Sequence, residues 1–114
     1  MSKKTTPVII DGYEVPLEIF ERESFTISKL TVGTNGFKGG DSGHGSRVYL
    51  RLDIDSGNIR CYAKNEERTE TTLQIVAGGD DELHSLIENF EKATKILKKM
   101  SGYKKFRKKP TFSI

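Results

Sequence analysis

The sequence predicts an α+β fold, an antiparallel sheet of four to five strands covered on one face by a single C-terminal amphipathic helix. Two patterns and a boundary carry that prediction. Between Val8 and Ala77 short runs of β-branched and aromatic residues alternate with polar ones, the two-residue period of half-buried strands. From Asp80 to Met100 the apolar residues recur at three- and four-residue spacing instead, which is one stripe down a helix. Gly78-Gly79 separates the two regimes, ending the sheet and releasing the chain into the helix.

Val8 to Ile10 and Tyr13 to Phe20 read as a first hairpin, because Asp11-Gly12 supplies the positive φ that a tight turn needs. Pro16 cannot donate to a ladder, so its strand is expected at a sheet edge or with a bulge. In the next stretch, Ser24 to Val32, the alternation slips by one residue near Ser28-Lys29, and a bulge there restores the inward face. The clearest strand runs from Arg47 to Ile54, with Val48, Leu50, Leu52 and Ile54 facing inward and Arg47, Tyr49, Arg51 and Asp53 outward. Asp55-Ser56-Gly57-Asn58 is turn chemistry. Beyond it Ile59, Cys61 and Ala63 alternate with Arg60, Tyr62 and Lys64 as the return strand of a hairpin, with Cys61 toward the core. Asn65-Glu66-Glu67-Arg68 then reads as a polar turn and Thr69 to Ala77 as the last strand. In the helix, Asp80, Asp81 and Glu82 fill the first turn and Lys98 and Lys99 the last, matching the macrodipole, and Ser101-Gly102 is the stop. Leu50, Leu52, Ile54, Phe90 and Leu97 are the expected core between sheet and helix.

Composition sets the class. At 114 residues, 34% hydrophobic and 31% charged, the chain has the size and apolar content of one folded domain. The organisation read from it is one domain over residues 1–102 and a basic, flexible tail over residues 103–114. Cys61 is the single cysteine, which excludes an intramolecular disulfide scaffold and suits a reducing compartment. The N-terminal residues have no apolar core of signal-peptide length, and no apolar run is long enough to cross a bilayer, so the expected location is cytoplasmic.

Three features could carry function. The segment from Gly33 to Ser46 holds six of the eleven glycines, which is costly to order if it only connects two strands. Glycines let backbone N–H groups converge on an anion, so Gly36, Lys38, Gly39, Gly40, Ser42 and His44 are candidate ligand-binding residues. The alternative is a plain glycine-rich connection. Neither the P-loop nor the dinucleotide-binding spacing is present, and a strand follows the loop where those motifs need a helix.

The second feature is the outward face of the central hairpin, where Arg47, Tyr49, Arg51, Arg60, Tyr62 and Lys64 would interleave cations with aromatics. That composition binds phosphates while stacking bases, although such pairs also decorate ordinary solvated sheets. The third is the basic tail, in which Lys104, Lys105, Arg107, Lys108 and Lys109 should attract polyanions. The stretch from Asp11 to Glu23, by contrast, holds five acids and one arginine, so a net charge of +3 hides two poles that could drive head-to-tail self-association.

Gly40-Asp41-Ser42-Gly43 resembles the nucleophile segment of trypsin-like serine proteases. That fold needs about twice this length, and its histidine precedes the serine, whereas no histidine lies before Ser42 here. The expectation is therefore not an enzyme, with a small hydrolase using Asp41, Ser42 and His44 as a third reading. No metal or cofactor is expected, since His44 and His84 are the only histidines and no third convergent ligand is evident. The favoured function is a non-enzymatic module that binds a nucleotide or nucleic acid through the glycine loop and the adjacent basic face. The alternative is a protein-protein interaction module or homo-oligomer, such as an accessory or inhibitor protein of a phage or other mobile element.

Overall fold

A computed structural model describes residues 2–21, 26–40, 44–55 and 57–103. Seven strands, β1 (Ser2–Ile10), β2 (Tyr13–Glu21), β3 (Ile27–Thr34), β4 (Arg47–Ile54), β5 (Cys61–Ala63), β6 (Glu66–Arg68) and β7 (Thr72–Gly78), precede one helix, α1 (Asp80–Ser101). Five of the strands form an antiparallel sheet in the order β1-β2-β3-β4-β7, and β5 and β6 form a separate two-stranded ribbon. The fold is α+β. No described helix is long and apolar enough to cross a membrane.

Turn chemistry acts where the sequence places it. Asp11 and Gly12 both take positive φ, 52° and 86°, closing the β1–β2 hairpin. Pro16 lies opposite a register shift between Thr5 and Val8, so its missing N–H falls where the ladder is already interrupted. The slip expected near Ser28 is the register shift between Ile27 and Lys29 in the β3–β4 pair.

The sheet curls sharply, and glycine permits it. A Cβ on Gly33 would lie 1.8 Å from the carbonyl oxygen of Pro16, so only a residue without a side chain lets β2 fold down across β3. β2 thereby approaches β4, two places away in the sheet. Ile10, Val15 and Leu17 are buried there, with Val8 and Tyr49 packed against them.

The expected outward side of β4 is therefore also an inner one. Cross-strand pairing puts Arg51 opposite Thr31 and Thr31 opposite Ile19, so Arg47, Tyr49, Arg51 and Asp53 share the face of Val15 and Leu17. The polar side of β4 is the inside of the curl, while on its other side Val48 is buried and Leu50, Leu52 and Ile54 are half-buried.

Two further expectations are corrected. The return strand does not pair with β4, which instead takes β7 along its full length from Arg47↔Gly78 to Asp53↔Thr72. The polar turn at Glu66-Glu67-Arg68 is strand β6, reached through Lys64 and Asn65 at φ 53° and 65°. Cys61, on β5, is half-exposed.

The chain divides into two compact units after His84. The first holds both sheets and the start of α1. In the second, Phe90 and Leu97, expected in the core, are 45% and 66% exposed. The helix ends as expected, Gly102 at φ 69° turning the chain so that Tyr103 N–H donates to the Lys98 carbonyl at 3.1 Å.

Candidate functional site

The loop between β3 and β4 does gather backbone N–H groups around an anion, and that anion is the chain's own Asp80. Lys38 N–H donates to both carboxylate oxygens, at 3.1 Å to Oδ1 and 3.0 Å to Oδ2. Gly39 N–H donates to Oδ2 at 2.6 Å, and Ser46 N–H to Oδ1 at 2.9 Å. The Asp80 N–H in turn donates to Gly40 O at 2.8 Å, and Gly79 N–H to Ser46 O at 2.7 Å. Gly36 N–H is also taken, by Thr34 Oγ1 at 3.1 Å.

Loss of water around the Asp80 carboxylate is the largest single influence on it and raises its pKa. The amides of Ser46, Lys38 and Gly39 together outweigh that, and the group is held down at about 2 from an ordinary 3.8. Glycine is required where the loop meets the helix. A Cβ on Gly45 would lie 2.0 Å from Gly40 O and 2.8 Å from Asp80 N.

Arg47 follows this loop and is inside the fold, only 2% exposed, which corrects its expected place on an outward face. Its Nε donates to Asp11 Oδ2 at 2.9 Å, and its Nη1 to the carbonyls of Gly45 at 2.9 Å and Ser46 at 3.2 Å. The guanidinium carbon sits 4.8 Å from the Tyr13 ring centroid. Gly78 leaves room for it, since a Cβ there would meet the Arg47 side chain at 3.0 Å. One arginine thus ties the first hairpin, the glycine loop and the end of β7 together.

The basic aromatic face is not assembled as one surface. Tyr49 packs into the core cluster, and Arg51 is half-exposed, with its Nε and Nη2 donating to Asp53 Oδ1 at 3.3 and 3.1 Å. Those hydrogen bonds raise the Arg51 pKa above its ordinary value. Tyr62 is the central residue of β5 in the separate ribbon, Arg60 directly precedes the strand and Lys64 sits in the turn after it, and all three are exposed. Tyr62 stands 57% exposed between the two cations. Its cross-strand neighbour is Glu67.

Lys38 and His44 are exposed on the loop. Asp41 and Ser42 lie outside the described residues, as do Lys104, Lys105, Arg107, Lys108 and Lys109. No group of three or more metal-ligating side chains occurs among the described residues. Sequence reasoning missed Asp80, taken only as a dipole complement, and Asp11. The available signal was a carboxylate at the first helical position beside a glycine loop that matches no phosphate-binding motif. Comparison of the chain with protein-family models, curated proteins and solved structures returned no match.

Proposed function

We propose that the protein is a non-enzymatic binding module for single-stranded nucleic acid, and that the β5–β6 ribbon is its contact surface. The observation that carries this is Tyr62, an aromatic ring open to solvent on a two-stranded ribbon separate from the main sheet, with Arg60 and Lys64 flanking its strand in sequence. An unpaired base stacks on such a ring while flanking cations hold its phosphates. The glutamates of the ribbon, Glu66 and Glu67, lie on β6, so the phosphate path follows β5. The glycine loop has a different part in this scheme. The amides of Lys38, Gly39 and Ser46 are committed to Asp80, which leaves the Lys38 and His44 side chains to add contacts at the loop's rim rather than a phosphate cradle.

The test is binding of a labelled oligothymidylate. Tyr62→Ala should weaken it by about 1–3 kcal/mol with no loss of thermal stability, because the ring contributes nothing to the core. Equal affinity in the variant and the parent would rule the ribbon out. A second reading, an interaction module or homo-oligomer, is favoured by the apolar side chains that α1 exposes from Ile87 to Met100.

A further inference from the structure

Helix α1 carries an uninterrupted heptad stripe. Leu83, Phe90 and Leu97 occupy one core position of the repeat and Leu86, Ala93 and Met100 the other. Leu83 is buried, but Phe90, Leu97 and Met100 are exposed, as are Ile87 and Ile96, which widen the stripe on either side. Shallow open grooves flank this face, one lined by Phe90, Glu91, Thr94, Lys95 and Lys98 and one between Leu97 and Tyr103. Such a face loses free energy in water for every side chain left uncovered.

Charge identifies what covers it. Every acidic residue of the helix, Asp80, Asp81, Glu82, Glu88 and Glu91, precedes every basic one, Lys92, Lys95, Lys98 and Lys99. The sign changes between Glu91 and Lys92, at the middle of the exposed stripe. A second copy of the helix laid antiparallel about that midpoint levels Leu86 with Leu97 and Phe90 with Ala93, core position against core position. A heptad stripe reversed is again a heptad stripe, so the apolar match follows from the period alone. The charge match does not. Antiparallel pairing sets the acidic half of each helix beside the basic half of the other, with the axes about 8–10 Å apart; the charged side chains lie outside the seam, so this is an attraction between whole halves that salt weakens. Parallel pairing would align like charges along the whole length.

We infer that the chain self-associates through this face, two α1 helices packing antiparallel with the two-fold axis near Glu91 and Lys92. This gives the second reading above a geometry and is independent of nucleic-acid binding, which the oligothymidylate titration tests separately.

Two measurements on the full chain decide it. Sedimentation at moderate salt should give at least twice the 12.8 kDa chain mass. Leu97→Asp and, separately, Met100→Asp should each reduce the mass to that of one chain. In a Cys61→Ser background, Ala93→Cys should oxidise to a covalent dimer, because its copies lie within about 5 Å along the axis, whereas the Met100→Cys copies are about 25 Å apart and should not. A monomeric parent overturns the proposal. So does cross-linking through Met100→Cys, the signature of parallel helices, or failure of Ala93→Cys to cross-link.

Discussion

Asp80 is the anion that the amides of Lys38, Gly39 and Ser46 surround, and its acidity makes the arrangement testable. Its folded pKa of about 2 lies below the ordinary 3.8, so the carboxylate stabilises the fold above about pH 4 and that contribution is lost as pH falls through about 2. Asp80→Asn should flatten this part of the acid-unfolding curve, followed by circular dichroism, while a parent curve with the same acid limb in the variant would remove the carboxylate from the account. Gly45→Ala forces a Cβ into the Gly40 carbonyl and should destabilise by about 1–3 kcal/mol in urea unfolding. Arg47→Ala should cost a similar amount, about 1–3 kcal/mol, because it strips donors from the buried carbonyls of Gly45 and Ser46. From sequence, Arg47 looked like a ligand residue because alternation assigns polar residues to solvent. The residue that overrules that assignment is Gly33, whose missing side chain lets the sheet curl over the polar side of β4.

At the level of elements, what depended on neighbouring residues was legible and what depended on distant pairing was not. The Asp11-Gly12 turn, the bulge at Ser28 and both ends of α1 follow from chemistry within a few residues. The partner of β4 does not, since turn residues after Ile54 announce a reversal without saying which later strand completes it. β7 offers seven residues to the ladder and β5 only three, and the longer run takes the place. The consequence is a ribbon inserted between strands already adjacent, Ile54 N–H donating to Thr71 O at 2.8 Å. Replacing residues 55–70 by Asn-Gly should therefore close a two-residue hairpin and preserve the sheet, seen as an unchanged β signal and cooperative melting. Loss of cooperative unfolding would show that the ribbon supports the fold.

Over the whole molecule, the proposed function rests on a division between what is used internally and what is left outward. The amides of Lys38, Gly39 and Ser46, together with Arg47 and Tyr49, are used by the fold, whereas Tyr62 on the ribbon, its sequence neighbours Arg60 and Lys64, and the apolar stripe on α1 remain exposed. Recognition of a polyanion by the ribbon predicts a logarithmic dependence of affinity on salt, and Arg60→Ala with Lys64→Ala should lower that slope by about 1.4 for a single strand. The most direct test is a fluorescence-anisotropy titration of labelled oligothymidylate with the parent and with the variant in which Asn-Gly replaces residues 55–70. The parent should bind with salt-sensitive affinity, and the folded variant should lose most of that binding. Undiminished binding by the folded variant, or no binding by the parent, would contradict the account.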